Sequence, residues 1–255
     1  MSNKSAPIFP PFFLTSAFVS VILFVIGEFL LAVFGSFTER TYLIHLIIGA
    51  VAVVAGYLLV RVFSRGSSER FLRALGACPM TEEEHSSVYN SIDGLCLSLG
   101  MTPPAVHVVD GMTGNAAVVG SPHPVLIFTR GAIDSLDPVE LEGLTAHLLI
   151  RCRDPKLLQR TIGSVSRFLP EVRRLERRWA HHEDVLDFDR LATAVTRYPP
   201  GLQRALKTLS SLGTSVSSTS VFNAYVWVLQ PGGSPEVATE LHPSLGFRLA
   251  ALEEA

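Results

Sequence analysis

The sequence predicts an α+β domain, mostly helical with a small sheet, preceded by a hairpin of two membrane-spanning helices. Three observations carry this. Phe12 to Val33 and Tyr42 to Phe63 are apolar runs with one formal charge each, Glu28 and Arg61. Beyond them, stretches of helical spacing alternate with short β-rich runs bounded by Gly and Pro. The mean hydropathy of +0.35 owes its height to the first 65 or so residues rather than to an oversized core.

Each apolar run is close to the ~20 residues that a helix needs to cross a bilayer. A cleaved signal peptide has a shorter apolar core and is not followed at once by a second span. Residues 1–66 are therefore expected to form a membrane anchor, with helices at about 12–33 and 42–63 and a tight turn at 35–41. Residues 67–255 are expected to form the soluble domain. Arg61, Arg65, Arg70 and Arg73 follow the second span and Lys4 precedes the first, whereas the turn has Arg40 offset by Glu39. That asymmetry places both termini and the soluble domain in the cytoplasm, with the chain multi-pass in the plasma (inner) membrane. Glu28 marks either a polar contact, between helices or to a partner, or a carboxyl near the interface. Gly49, Ala52, Ala55 and Gly56 are small enough for close helix packing.

In the soluble part, Thr81 to Leu99 has helical spacing in Val88, Ile92, Leu95, Cys96 and Leu99, with Thr81 and Glu84 as a capping box and Gly100 as the stop. Ala105 to Asp110, Ala116 to Val119 and Val125 to Thr129 read as strands, the last two joined by a hairpin loop at 120–124. Ser135 or Asp137, with Pro138 at the first helical position, opens a helix through Leu141, Leu144, His147 and Leu148 towards Arg151. The basic run containing Arg173, Arg174, Arg177 and Arg178 reads as a solvated helix face, with anionic lipid as its alternative partner. Asp184 to Tyr198 is a helix closed by Pro199-Pro200-Gly201, and Leu202 to Leu212 is another. Gly213 to Thr219 and Gln230 to Pro235 are loops, and Val221 to Leu229 is either strand or buried helix.

With 21 basic and 23 acidic residues, the net charge of −2 gives no electrostatic footprint for nucleic acid, and no such partner is expected. Cys78, Cys96 and Cys152 are odd in number and far apart. They suggest buried reduced thiols rather than a disulfide framework or a thiolate metal site.

The stretch His147-Leu148-Leu149-Ile150-Arg151 stands late in its helix, where a zinc peptidase carries His-Glu-x-x-His. In that motif two His one turn apart grip the metal and the Glu polarises its water. Leu cannot accept a proton, and a guanidinium repels a dication.

The order of several segments extends the comparison. Leu95 to Pro104, Asn115-Ala116-Ala117-Val118-Val119-Gly120, Phe128-Thr129-Arg130-Gly131, Leu141-Glu142-Gly143-Leu144, Thr196 to Leu202, and His242-Pro243 with Arg248 occur in sequence. From about residue 70 onward the chain resembles the HtpX-like membrane zinc endopeptidases, relatives of the CAAX prenyl proteases. The resemblance implies a zincin-like (gluzincin) metallopeptidase domain and zinc-dependent proteolysis at the family level. It places the first zinc His at His147, the general base at Leu148, the second His at Arg151 and the third ligand at Val185, four residues before Asp189. It also makes Asn115, Ala116, Ala117, Val118 and Val119 the edge strand that pairs with an extended peptide. The family's further spans after the metal helix have no counterpart, since residues 152–180 are too polar.

The reading is a membrane-anchored pseudopeptidase with no cofactor expected, binding or regulating a polypeptide client or an active paralogue beside the lipid bilayer. Its vestigial site is His147, Asp189 and His242. The alternative is an active zinc metalloendopeptidase in membrane protein quality control, with ligands relocated among His147, His181, His182, Glu183, Asp184, Asp187, Asp189 and His242. His181 and His182 are adjacent, so a regular helix points them apart, and Arg151 still stands one turn from His147. A third reading makes the hairpin itself the working part.

Overall fold

A computed structural model describes residues 11–34, 41–120, 123–157, 160–161, 182–216, 226–239 and 241–254. The expectations for the turn at 35–40, the basic run at 173–178, His181 and residues 221–225 lie outside the described residues. The chain divides into two compact units, Met1–Gly66 and Ser67–Ala255.

The first unit is a helical hairpin of α1 (Pro11–Phe34) and α2 (Thr41–Arg65). Both helices are long and apolar enough to cross a membrane, with stretches of mean hydropathy 2.4. At ~1.5 Å per residue they reach roughly 36 Å, enough for the ~30 Å hydrocarbon layer. Small residues let the helices approach. A Cβ on Gly27 would lie 2.6 Å from Cγ2 of Ile48, and one on Gly56 would strike Ser20. Ala52 is buried. Gly56 and Ala52 therefore serve packing inside the hairpin. Glu28 Oε2 lies 2.5 Å from His45 Nδ1, so the acidic residue of α1 meets α2 rather than standing alone among apolar side chains.

The second unit contains α3 (Ser67–Leu75), β1 (Cys78–Pro79), α4 (Ser86–Leu99), β2 (Ala105–Val109), β3 (Ala116–Val119), β4 (Val125–Thr129), α5 (Arg130–Ser135), α6 (Pro138–Cys152), α7 (His182–Thr196), α8 (Pro199–Ser211) and α9 (Leu245–Glu253). It is mostly helical with a small mixed sheet. The sheet order is β1-β2-β4-β3, with β2 and β4 parallel and the outer pairs antiparallel. Strand alternation sends Ala116, Val118, Leu126 and Phe128 into the main core with α4, α6 and α8. Ala117, Val119 and Ile127 face the other way, onto Phe71 and Leu75 of α3 and onto Trp227.

Three elements depart from expectation. Thr81 and Glu84 form no capping box, because α4 starts at Ser86 behind His85, which makes no side-chain cap. The cause is tertiary: Cys78 and Pro79 pair with β2 and Met80 N–H donates to Val106 at 2.9 Å, so the chain is still extended there and must turn before a helix can begin. Pro199-Pro200-Gly201 opens α8 instead of closing α7. Proline suits a first helical turn, where its missing N–H has no partner to lose. Cys78 is exposed rather than buried, on the outermost strand.

The edge expected to be open along Asn115–Val119 is occupied by the chain itself. Trp227 bridges Ala117 in antiparallel fashion, and Val228 N–H donates to Ala116 C=O at 2.8 Å. The Asn115 carboxamide grips Leu229 from both sides, its Nδ2 donating to Leu229 C=O at 3.0 Å and its Oδ1 accepting Leu229 N–H at 3.2 Å. Further along, Gly120 N–H donates to Thr161 Oγ1 at 2.9 Å. All of Asn115 to Val119 is fully buried.

Candidate functional site

The site is built on α6. Asp137 accepts hydrogen bonds from Val139 and Glu140 N–H, both 2.8 Å, and the Glu140 carboxylate answers at Asp137 N–H, a reciprocal cap. Pro138 completes a helix start that sets the phase of everything after it. Gly143 lets α8 approach: a Cβ there would lie 2.5 Å from Leu202 N. In this phase His147 and Arg151 stand one turn apart, both buried, and Leu148 packs wholly within the apolar core.

Across from α6, α7 carries Asp189, and α9 brings Arg248. Arg248 makes a two-pronged contact, Nε to Oδ2 and Nη2 to Oδ1, each 2.7 Å, and its Nη1 donates to Val228 C=O at 2.8 Å. His147 Nδ1 lies 2.9 Å from Asp189 Oδ1. That approach is close but out of line for a well-directed hydrogen bond, so it is a bent, weak contact between the imidazole and the carboxylate. Burial alone would raise the Asp189 carboxyl. The Arg248 charge and the bonds from both neighbours overcome it and hold the group at about 2. Burial pushes His147 down to about 4, against the opposing pull of Asp189, so its imidazole is neutral at pH 7.

Phe188 forms the other wall. Its ring meets the edge of the His147 ring at 6.3 Å between centroids, and the guanidiniums of Arg151 and Arg160 lie over it at 6.0 and 5.5 Å. Arg160 also contacts Asp154 at 3.1 Å and Asp184 at 2.9 Å, and Lys156 joins Asp184 at 3.1 Å. Burial and the neighbouring Arg160 lower Arg151 to about 9, which still leaves it a cation at neutral pH. Burial pushes the Cys152 thiol up to about 12, so it is no nucleophile and no ready ligand.

These residues do not fit a zinc ion. A catalytic zinc takes three protein ligands and a water. Of the three positions marked by the motif, only His147 offers a donor, and Arg151 places a permanent positive charge beside it. Among the described residues, no three His, Cys, Asp or Glu side chains group as a metal site. What the centre can do chemically is hold a desolvated charge pair and a neutral imidazole in fixed geometry.

His147 and Asp189 are brought together, and Arg151 joins them through Phe188. Leu148 turns into the core. Val185 is half-buried on α7, one turn before Asp189. His242 is buried in the turn before α9, where its backbone exchanges hydrogen bonds with Thr239. Glu183, Asp184 and Asp187 lie in the first turns of α7, and Asp184 is committed to Lys156 and Arg160. His182 meets Thr239 C=O at 2.5 Å. The place of Arg248 in the centre was not foreseen, although a signal existed. Arg248 falls on the same stripe as Leu245, Leu249 and Leu252, and an arginine on the apolar face of a helix demands a buried anion.

No protein-family profile matches the chain. It is similar to the protein named Protease HtpX homolog from Dictyoglomus turgidum, 23% identical over 250 residues that cover 80% of this chain and 82% of that protein. It is 35% identical over 120 residues to a Protease HtpX homolog of Bacteroides fragilis, covering 46% of this chain and 36% of that one. With the Tropheryma whipplei protein of the same name it shares 30% over 131 residues, covering 50% and 43%. The segments in common with these membrane proteases lie in a chain with two apolar helices ahead of a helical domain with a small sheet. These similarities support an HtpX-like relationship for the chain.

Proposed function

We propose that the chain is a membrane-anchored pseudopeptidase: a zincin-like domain, held at the cytoplasmic face by its hairpin, that works by binding rather than by hydrolysis. One observation carries the reading. The position that should supply a second metal ligand holds Arg151, buried beside His147, while the base position holds Leu148, packed into the core. A buried guanidinium cannot share its place with a dication, because two like charges in a poorly hydrated site repel strongly. The Asp189 carboxylate that orients His147 is kept, a contact of the kind that supports metal-bound histidines, yet here its charge is balanced by Arg248. The scaffold around the lost ligands thus has its own source of cohesion.

The partners that suit this reading are a polypeptide client or an active paralogue. A client adding to the β3 edge would have to displace Val226–Leu229, so binding elsewhere on the domain is the simpler route. Metal analysis of the full-length chain, purified without chelator and exchanged into zinc-buffered detergent, tests the proposal. Zinc far below one equivalent, with no chelator-sensitive cleavage of an unfolded protein such as casein, is expected. One zinc per chain, lost on His147→Ala, would establish the active-enzyme reading in its place.

A further inference from the structure

We propose that the hairpin carries a binding site for one anionic phospholipid, with an acyl chain in the groove between α1 and α2 and the phosphate at Arg61 and Tyr57. The groove has a volume of about 710 Å³. It runs from Ser16 to Phe24 along α1 and from Gly49 to Leu58 along α2. Its volume lies within the ~300–1,000 Å³ typical of small-molecule sites, and its walls are almost wholly apolar.

Its length selects the occupant. Eight or nine helical steps at ~1.5 Å give about 12–14 Å, close to the ~15 Å of a single hydrocarbon leaflet. A partner helix crossing the whole layer would need a seam about twice as long. The far end is stopped by the Phe24 ring over Gly49, where an added Cβ would lie 3.6 Å from the ring edge. The near end lies at the start of α1 and the end of α2 and is more polar. Tyr57 lines it, and Arg61, one turn further along α2, donates to the Tyr57 hydroxyl at 3.1 Å with its guanidinium 5.9 Å from the ring centre. A long arginine side chain at a helix end reaches the headgroup level, where it pairs with phosphate oxygens. An apolar slot one leaflet deep with a cation at its mouth has the charge and shape of an anionic lipid.

The site lies wholly within the hairpin and does not depend on whether the second unit binds metal. The test uses the full-length chain, delipidated in detergent and incubated with phosphatidylglycerol or phosphatidylcholine of matched acyl chains, with bound lipid counted by native mass spectrometry. Phosphatidylglycerol should be retained about five-fold better, the preference one arginine near a membrane surface confers. Arg61→Gln should remove the preference while leaving total binding in place. Ala17→Phe, which fills the groove, should lower retention of both lipids with helical content unchanged. Equal retention of the two lipids by the parent chain overturns the proposal. So does an Ala17→Phe variant that binds lipid normally, and if that variant also converts a dimer to a monomer, the groove belongs to a second copy of the chain.

Discussion

Asp189 is the residue on which the second unit's polar interior turns. It is buried, faces a neutral His147, and has both oxygens taken by Arg248. Removing one member of such a pair strands the other's charge in a poorly hydrated interior, which typically costs about 3–5 kcal/mol, whereas replacing both with apolar groups is often close to neutral. Arg248→Met should therefore lower the thermal midpoint of the full-length chain in detergent by several degrees or more, and Arg248→Met with Asp189→Leu should recover much of it. A single variant as stable as the parent would show that Asp189 is not charged in the folded state. Asp189 and Arg248 each break the apolar stripe of a helix, so their burial was legible in the sequence. Their pairing was not, since 59 residues separate them.

The elements meet most tightly at the outer edge of β3. Asn115 bonds through its side chain to Leu229 on both sides and to Thr214 C=O at 3.3 Å, while its backbone N–H reaches Thr129 Oγ1 at 2.9 Å. One carboxamide thus ties β3 to two segments about a hundred residues further on. Asn115→Ala would leave the Leu229 N–H and C=O buried without partners, at about 1–3 kcal/mol for each unsatisfied group. Hydrogen–deuterium exchange should then quicken at Leu229 and in the adjoining residues Trp227 and Val228, with α6 unaffected. Unchanged protection there would mean that Trp227 burial alone seats the segment. The strand itself was readable from Ala116 to Val119, and so was the Asp137-Pro138 helix start, because both signals are local. The false cap at Thr81 and the misassigned Pro199-Pro200 obeyed the same local rules. Tertiary pairing overrode the first, and the second was a boundary signal read from the wrong side.

At the scale of the whole molecule, the acid side of the stability profile should be governed by the His147–Asp189 centre rather than by net charge, which is only −2. His147 titrates near 6.5 unfolded and at about 4 folded. Between those values the unfolded chain binds more protons, so stability falls as pH drops, by about 3 kcal/mol across the window. Asp189 extends the loss as pH falls from about 3.8 towards 2, where the folded carboxylate finally takes up its proton. Thermal unfolding of the full-length chain from pH 7 to pH 4 should show this slope, and His147→Gln should flatten it. A profile indifferent to that substitution would place the acid-labile group elsewhere.

The sequence alone determined the two long apolar stretches, the three strands from Ala105 to Thr129, the helix opened by Asp137-Pro138 and the run His147-Leu148-Leu149-Ile150-Arg151 within it, because each is written in neighbouring residues and in the spacing of a single element. Only the tertiary structure decided that Arg248 balances Asp189, that Phe188 lies beneath two guanidiniums, and that the β3 edge is filled by Trp227 to Leu229. Those contacts join residues tens to more than a hundred positions apart, and burial makes each of them obligatory only once the elements have packed.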